Sequence, residues 1–312
     1  MTALICGSLA FDNIMVFPGR FREHILPDRI HMLNVAFMVP EMRREFGGCA
    51  GNIAYNLHAI GGAALPMGTV GDDFAPYRER LRSLGVDDRF IRPVEGRFTA
   101  QAYITTDLDD NQITAFHPGA MECAHDNPVP TDAGVSIGIV APDGRDGMLQ
   151  HAEQFAAADI PFVFDPGQGL PMFDGDELRR FIELASWVTV NDYEAGLLQQ
   201  KTGLAPAEIA ERVHALVVTR GSEGSNIWVD DRRLDIPPVT AATVTDPTGC
   251  GDAYRAGLLY GLMHEADWQT TGRLASLLGA LKIASPGTQN HVLSHELVAG
   301  AFRTAFDREL GI

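Results

Sequence analysis

The stretch Asp246-Pro247-Thr248-Gly249-Cys250-Gly251-Asp252 opens an apolar segment of helical period that runs from Ala253 to Met263. Two glycines one residue apart bring bare backbone N–H groups to the start of the predicted helix, where aligned peptide dipoles favour negative charge. Asp252 falls in the first turn of this helix, so we expect its carboxylate to stay ionised and to accept a proton from an attacking hydroxyl. Such a layout is typical of phosphoryl transfer, although a capping Asp and a glycine turn would leave the same pattern.

The composition is that of an ordinary globular protein. The chain has 312 residues, of which 46% are hydrophobic and 21% charged, so we expect one large α/β domain with or without a small appendage. A formal charge of −17 argues against general binding to nucleic acid or to an anionic membrane. The cysteines form no C-x-x-C pair, and the N-terminus shows no signal-peptide pattern. These two features predict a reducing cytoplasm, and membrane insertion is not expected because no window approaches the roughly 18 to 20 apolar residues of a spanning helix.

Short β-rich runs alternate with stretches of helical period along much of the chain. The predicted strands are Leu4–Cys6, Ala64–Val70, Val135–Val140, Pro161–Asp165, Trp187–Val190 and Leu216–Thr219, and the predicted helices are Asn52–Ile60, Phe74–Leu84, Gly147–Ala157 and Asp174–Ala185. The later strands are continuous apolar runs, as expected when helices cover both faces of a parallel sheet. The sequence therefore predicts an α/β fold with a doubly wound, mostly parallel sheet.

The alternation of predicted strands and helices stops in two segments, 13–45 and 98–117. The first is rich in Pro, Met and Phe, and the second alternates Thr, Tyr and Ile around a turn at Asp109-Asp110-Asn111. We expect them to form a small β-rich lid on a single domain that spans residues 1–312. Apolar lid residues such as Phe37 and Met38 would be buried either in a homodimer or by closure over a ligand.

A second glycine-rich stretch, Gly47-Gly48-Cys49-Ala50-Gly51-Asn52, precedes the helix that ends near Ile60. Glycines here allow a ligand to approach the backbone closely, and Asn52 offers a donor and an acceptor, which suits a polyol such as a sugar. A tight turn followed by a capping Asn explains the same residues.

Two further patterns follow predicted strands. Asn191 and Glu194 have the spacing of a capping box, and at the carboxyl edge of a parallel sheet they are also placed to hold the waters of Mg²⁺ beside a triphosphate. The stretch Thr219-Arg220-Gly221-Ser222-Glu223-Gly224 suits a nucleotide lying over the backbone, although a hairpin into Asn226–Val229 would have the same sequence.

Several competing motifs are absent from the sequence. No G-K-[ST] occurs, and Lys201 and Lys282 are the only lysines, so a Walker-type phosphate loop is excluded. Gly249-x-Gly251 lacks the third glycine of a dinucleotide fingerprint, which argues against hydride transfer. The scattered histidines provide no zinc ligand set, and no G-x-S-x-G motif of a serine esterase is present.

Three motifs in order along the chain carry a family resemblance: Gly47-Gly48-x-x-Gly51-Asn52, Asn191-x-x-Glu194, and Asp246-Pro247-Thr248-Gly249-x-Gly251-Asp252. Over essentially its whole length the chain resembles the ribokinase/PfkB carbohydrate and nucleoside kinases. Within that family it looks most like bacterial adenosine kinases, on the stretches 6–12, 17–21 and 116–121, the pair Asn191-Asp192 and the variant Pro247.

The resemblance implies roles for individual residues in an ATP-dependent kinase. Asp252 would be the base that deprotonates the primary hydroxyl of a ribose, and the backbone N–H groups of Gly249, Cys250 and Gly251 would stabilise the transferring γ-phosphoryl group. The implied substrate-binding residues are Ser8, Asp12, Gly48, Asn52, Phe116 and Gln168. The implied ATP-binding residues are Asn191, Thr219, Gly221, Gly224 and Thr248. Asn191 and Glu194 would order Mg²⁺ through water, and a potassium ion is implied near Asp246-x-Thr248 and a loop at 285–289.

Two departures from the family pattern bear on the substrate. Related adenosine kinases tend to have two adjacent glutamines where this chain has Gln168 followed by Gly169, and a polar lid position is Ala36. A pocket that loses polar partners for a purine edge can accept another nucleoside. The resemblance therefore implies phosphorylation of a nucleoside 5′-hydroxyl, with adenosine favoured. The alternatives are a free sugar (ribose or a ketohexose), a pyrimidine nucleoside, or a non-catalytic nucleotide-binding regulator, against which the intact Gly249-x-Gly251-Asp252 argues.

Overall fold

The computed structural model describes residues 1–25, 34–109 and 111–312. Part of the predicted lid segment 13–45, and Asp110 of the predicted turn, lie outside the described residues.

The described residues contain thirteen strands and ten α-helices. The strands are β1 (Thr2–Cys6), β2 (Ala10–Val16), β3 (Glu41–Gly47), β4 (Ala63–Val70), β5 (Ile91–Pro93), β6 (Ala100–Thr106), β7 (Gln112–His117), β8 (Ile137–Val140), β9 (Phe162–Phe164), β10 (Trp187–Asn191), β11 (Ala215–Thr219), β12 (Ser225–Val229) and β13 (Arg232–Ile236). The helices are α1 (Phe21–His24), α2 (Cys49–Ala59), α3 (Ala75–Ser83), α4 (Arg145–Ala157), α5 (Gly175–Leu184), α6 (Asp192–Thr202), α7 (Pro206–Ala210), α8 (Cys250–Met263), α9 (Trp268–Lys282) and α10 (His295–Phe306). Short 3₁₀ helices cover Gly119–Asp126, Gly167–Met172 and Gly221–Glu223.

The main sheet has nine strands in the order β13-β12-β11-β10-β9-β8-β1-β4-β5. The seven strands from β11 to β5 run parallel, and β12 and β13 are added antiparallel at one edge. Alternate residues of β1 enter opposite cores: Ala3 and Ile5 pack with α2, α8 and α9, whereas Leu4 and Cys6 pack with α4 and α5. Helices therefore cover both faces, which confirms the predicted doubly wound α/β fold.

A second, smaller sheet has the order β3-β2-β6-β7. Its β2 pairs antiparallel with β3 and parallel with β6, and β6 pairs antiparallel with β7. The segments 13–45 and 98–117, which interrupt the βαβ alternation, thus supply most of this sheet. Several side chains on its outer face are exposed, among them Met42, Tyr103 and Ile113.

Some predicted boundaries differ from the structure. Helix α2 begins at Cys49, one turn before the predicted start, because the glycines before it form its cap. The stretch after β11 is a hairpin, in which a 3₁₀ turn leads into the antiparallel strand β12.

No helix among the described ranges combines the length and the apolar character that crossing a membrane requires.

Candidate active site

A cavity of about 680 Å³ lies between the carboxyl edge of the main sheet and one face of the small sheet. The N-termini of α2 and α8 contribute to its wall. Of the residues singled out from the sequence, it is lined by Ser8, Asp12, Gly48, Asn52, Phe116, Gln168, Asn191, Glu194, Thr248, Gly249, Gly251 and Asp252. Motifs that are more than 200 residues apart in the chain therefore share one cleft.

Four adjacent strands of the main sheet deliver polar groups to this cavity. Ser8 follows β1, Asp143 follows β8, Asp165 follows β9 and Asn191 ends β10. Because these strands are parallel neighbours, their carboxyl ends meet at one edge, which is where ligands of open α/β sheets bind.

The small sheet presents one alternating set of side chains to the cavity. Within it, Asp12 on β2 is opposite Ala102 on β6, which is opposite Phe116 on β7. Two strand spacings separate Asp12 from Phe116, which is about 10 Å. The small Ala102 leaves the space between them open, so a carboxylate and an aromatic ring flank the same gap.

The start of α2 depends on two glycines. Gly48 has a φ of +86°, and a Cβ atom there would lie 2.5 Å from the backbone oxygen of Ser8. A Cβ atom on Gly47 would lie 2.4 Å from Oδ2 of Asp12. Ser8 Oγ accepts the N–H of Cys49 at 3.1 Å, so its hydroxyl caps the helix. Larger residues at these positions would displace both the helix start and the Asp12 carboxylate.

The start of α8 has the backbone geometry that the predicted anion-binding turn requires. Gly249 is the N-cap and has a φ of +79°. The N–H of Cys250 donates to the oxygen of Pro247 at 3.2 Å, and Cys250 is not among the residues that line the cavity. The N–H groups of Gly251 and Asp252 precede the first intrahelical bond, which Ala253 makes to Gly249.

A chain of hydrogen bonds holds Asp252. Asn52 Nδ2 donates to Asp252 Oδ2 at 2.8 Å, and Gln289 Nε2 donates to Asn52 Oδ1 at 2.9 Å. Gln289 Nε2 also lies 2.6 Å from the hydroxyl of Tyr77, which donates to Gly47 O. Burial raises the pKa of Asp252 to about 6, and the hydrogen bond from Asn52 opposes that rise. The pKa therefore lies above that of a free Asp, although the carboxylate is still mostly ionised at neutral pH.

A buried ion pair lies one helical turn from Asp252. Arg255 Nε and Nη2 donate to the two carboxylate oxygens of Asp165 at 3.0 and 2.9 Å, and Nη2 lies 3.9 Å from Glu194 Oε2. Both Arg255 and Asp165 are almost fully buried. Since Arg255 is one turn after Asp252 on α8, this bidentate pair fixes the helix against the edge of the main sheet.

Asn191 and Glu194 form the capping box that their spacing indicates. Asn191 Oδ1 accepts the N–H of Glu194, and the Glu194 carboxylate accepts both the N–H and the Nδ2 of Asn191, each at 2.8 Å. Burial, and then the charge of Asp165, raise the pKa of Glu194. The cap does not exclude a second role, because both side chains also line the cavity.

Asp143 is a cavity residue that the sequence reasoning missed. Its Oδ1 accepts the N–H of Gly144 at 2.9 Å, whereas its buried Oδ2 has no hydrogen-bond partner among the described residues. Burial raises the pKa of Asp143 to about 8, although the bond from Gly144 opposes the shift. The available signal was a turn, Pro142-Asp143-Gly144, directly after an apolar strand.

Three expected ATP-binding residues lie outside the set that lines this cavity. Thr219 is level with Asn191 on the neighbouring parallel strand, and Gly221 and Gly224 belong to the turn that follows. They share the carboxyl edge of the sheet with Asn191 and lie further toward its antiparallel border.

Comparisons with known proteins agree with this architecture. Residues 14–295 match the family described as pfkB family carbohydrate kinase. The nucleoside kinase of Methanothermobacter thermautotrophicus is 32% identical over 295 residues, covering 93% of this chain and 91% of that protein. The structure of Burkholderia thailandensis nucleoside kinase in complex with inosine is 55% identical, covers 99% of both chains and superposes with a TM-score of 0.90. The same protein in complex with ADP-inosine is 56% identical, with a TM-score of 0.87 over 99% of this chain and 97% of that one. The chain therefore belongs to the pfkB family of carbohydrate kinases and is an ATP-dependent kinase.

Proposed function

We propose that this kinase transfers the γ-phosphoryl group of ATP to the 5′-hydroxyl of a purine nucleoside, with adenosine and inosine as the first substrates to test. One observation carries the proposal: the carboxylates of Asp12 and Asp252 line a single cavity, and the ring of Phe116 flanks the same cavity about 10 Å across the small sheet from Asp12.

The sugar end of the cavity is defined by Asp12. A carboxylate accepts hydrogen bonds from vicinal hydroxyls, and the position of Asp12 is fixed by its close approach to Gly47. Burial raises the pKa of Asp12 to about 6, and the nearby Glu45 and Asp246 add to the rise. Hydroxyl donors from a ribose would stabilise the ionised form.

The base end is defined by Phe116 and by the 3₁₀ helix that carries Gln168 and Gly169. Phe116 is half-exposed and lines the cavity, so its ring is available to stack on a nucleobase. A free pentose or ketohexose would leave this part of the cavity unused. Gly169 provides no side chain to select one purine edge, which supports acceptance of more than one purine.

Transfer requires a base and a site for negative charge. Asp252 would take the proton from the 5′-hydroxyl, and its pKa of about 6 suits a general base at neutral pH. The N–H groups of Gly249, Gly251 and Asp252 at the start of α8 would stabilise the γ-phosphoryl group. Asn52 holds Asp252 by a 2.8 Å hydrogen bond and so orients the base.

The charges in the cavity fit Mg²⁺. Among the described residues that line it, the four carboxylates of Asp12, Asp165, Glu194 and Asp252 stand against the single cation of Arg255, and Asp143 adds a carboxyl group whose pKa burial raises to about 8. A triphosphate entering such a site needs counter-charge, and Mg²⁺ supplies it while keeping most of its waters. Asn191 and Glu194 would hold those waters at the carboxyl edge of the main sheet.

The relative from Burkholderia thailandensis supports a nucleoside over a free sugar, since its structures contain inosine and ADP-inosine. The same comparison supports a purine, although it leaves the ranking of adenosine against inosine to experiment.

The test is a substrate panel. Purified protein is assayed for ADP release with ATP, Mg²⁺ and one of adenosine, inosine, cytidine, ribose or fructose, and the products are identified by mass spectrometry. We expect a 5′-monophosphate from a purine nucleoside, and no transfer to 5′-deoxyadenosine, which lacks the acceptor hydroxyl. A higher kcat/KM for ribose or fructose than for every nucleoside would overturn the proposal in favour of a sugar kinase. ATP binding without turnover of any acceptor would favour a regulator.

We also propose that the small sheet is a lid and that its outer face forms a homodimer contact. The outer face exposes Met42, Tyr103 and Ile113 on three of its four strands. Light scattering after size exclusion should give twice the chain mass for the native protein and a monomer for Ile113→Asp. A monomeric native protein would refute the contact.

A further inference from the structure

A lysine side chain lies where the family resemblance implies a potassium ion. Lys282 is the last residue of α9, and its side chain is fully buried. Its Nζ donates to the backbone oxygens of Asp246 at 2.7 Å and of Ser285 at 3.3 Å. These two oxygens belong to the two loops implied as the potassium site, the turn before Gly249 and the loop at 285–289.

The two loops are joined around this ammonium. The Asp246 carboxylate accepts the N–H of Thr248 at 2.9 Å and that of Gly287 at 2.8 Å, and the N–H of Asp246 donates to Ile283 O at 3.1 Å. Burial alone would raise the pKa of Asp246, but these N–H groups and the charge of Lys282 outweigh it and lower the pKa. The carboxylate therefore stays ionised and balances the ammonium.

A potassium ion does not fit this arrangement. It would compete with Nζ for the oxygens of Asp246 and Ser285, and it would bring a second positive charge next to a buried ammonium that Asp246 already balances. An ammonium is a compact point charge with three donors and no acceptor, so it satisfies converging carbonyl oxygens as a bound cation does. A lysine in the last turn of a helix usually interacts with the carbonyl oxygens at the C-terminus of that helix. Lys282 does not, because both oxygens that accept its hydrogen bonds lie outside α9.

The two loops that Lys282 joins also position the catalytic groups. The first continues into Gly249 and the N-terminus of α8. In the second, Thr288 packs so closely on Gly249 that a Cβ atom there would lie 3.0 Å from Thr288 Cγ2. The next residue, Gln289, donates to Asn52, which in turn holds Asp252. A shift between the loops would therefore move the anion-binding N–H groups relative to the base.

We propose that Lys282 is a built-in monovalent cation, a positioning residue that fixes these two loops for phosphoryl transfer and makes the kinase independent of potassium. The inference rests on the proposed nucleoside kinase activity only for its kinetic readout.

The first experiment uses the unmodified protein. Initial rates with MgATP and the best nucleoside of the panel are measured in about 0.1 M KCl and in about 0.1 M tetramethylammonium chloride, so that ionic strength is equal. We expect the two rates to agree within about twofold, because the cation is already present in the chain. Activation by potassium of about tenfold or more would overturn the proposal.

Two variants separate the charge from the packing. Lys282→Ala removes the ammonium and opens space beside the two oxygens, so we expect its kcat to fall by about tenfold or more in tetramethylammonium and to recover in potassium or ammonium. Lys282→Met keeps the volume without the charge, and we expect a similar loss with no recovery. Lys201→Met is the matched control, since Lys201 also lies in the last turn of a helix and donates to two backbone oxygens, those of Pro171 and Phe173. Its response to potassium should equal that of the native protein.

A second readout is independent of turnover. The midpoint of thermal unfolding should rise with potassium for Lys282→Ala, and it should not change for the native protein or for Lys201→Met when tetramethylammonium is the reference. If no nucleoside is phosphorylated with any cation, the proposed function fails and these midpoints still decide the role of Lys282. Two results would refute the proposed role of Lys282. One is a potassium-dependent rise in the thermal midpoint of the native protein, and the other is a Lys282→Ala variant that is fully active and insensitive to potassium.

Discussion

Replacing Asp143 by Asn should change the stability of the protein in a pH-dependent way, so that the variant gains on the native protein as the pH rises toward neutral. The carboxyl group of Asp143 is buried, its Oδ2 has no hydrogen-bond partner among the described residues, and burial raises its pKa to about 8. In the unfolded chain the pKa of an Asp is about 3.9, so between these two values the folded protein holds a proton that the unfolded chain has released.

The sign of the effect follows from this difference. A group whose pKa is raised on folding stabilises the folded protein when the pH is below the pKa of that group in the unfolded chain. This contribution is lost as the pH rises toward the pKa of the group in the folded protein. Within the window from about 4 to about 8, each pH unit lowers the free energy of unfolding by about 1.36 kcal/mol. Between about pH 5 and about pH 7 the native protein should therefore lose about 2.7 kcal/mol through Asp143 alone.

Asn is close in shape to the protonated carboxyl group and does not titrate. Its Oδ1 can keep the bond from Gly144, and its Nδ2 takes the place of the protonated oxygen. The difference in stability between Asp143→Asn and the native protein should therefore move in favour of the variant by about 2.7 kcal/mol from about pH 5 to about pH 7. Every other titrating group, including Asp12 and Asp252, is common to both proteins and cancels.

The assay is denaturant unfolding at the two pH values, followed by the fluorescence of the three tryptophans. Asp146→Asn is the matched control, because Asp146 lies in the first turn of α4 with an exposed side chain and should show no such change. A stability difference for Asp143→Asn that is the same at both pH values within about 0.5 kcal/mol would refute the reasoning, since it would mean that Asp143 is ionised in the folded protein.

Four further outcomes follow from the site. Asp252→Asn should lower kcat by about 10² to 10⁴ with ATP affinity unchanged by calorimetry, and the native rate should fall below about pH 6 as the base is protonated. Asp12→Ala should raise the KM for the nucleoside by about 10- to 100-fold and the KM for ATP by less than about twofold in steady-state assays, and equal changes would contradict the role in sugar binding. Gly48→Ala should lower the thermal midpoint by several degrees, because the positive φ costs about 1 to 3 kcal/mol before the clash is counted. Arg255→Met should destabilise the protein by about 3 to 5 kcal/mol in denaturant unfolding by leaving Asp165 unpaired, and adding Asp165→Asn should recover part of the loss.

The local parts of the site could be predicted from the sequence because they depend on short-range rules. A positive φ at Gly48 and at Gly249 and a capping box at Asn191 each need particular residue types within a few positions. The βαβ rhythm then brings these turns to one edge of the main sheet, since parallel strands place all their carboxyl ends together. The small β-rich lid was predicted from the two segments in which the βαβ alternation stops.

The long-range parts were not predictable in the same way. Arg255 is nearly fully buried in a bidentate contact with Asp165, 90 residues away, and nothing in the local sequence of either residue specifies the other. A lysine is ordinarily favourable in the last turn of a helix, so nothing in the sequence around Lys282 indicates its buried contact with Asp246. Asp143 follows a strand like many turn residues, and only the surrounding packing makes its carboxyl group unusual.

Asn52 shows how the two kinds of information combine. The sequence suggested a sugar ligand or a cap, whereas the structure uses its amide to connect two distant parts of the chain. The ionised carboxylate of Asp252 can only accept a hydrogen bond, so Asn52 donates to it through Nδ2, and Oδ1 of Asn52 is left to accept from Nε2 of Gln289. Oδ2 of Asp252 thereby accepts the hydrogen bond from Asn52, which leaves Oδ1 as the oxygen to which the proposed mechanism assigns the proton of the substrate hydroxyl. The glycine turn at Gly48 sets where α2 begins and hence where Asn52 stands, so a local requirement for glycine determines which oxygen of Asp252, 200 residues away, is left for the proposed role as the base.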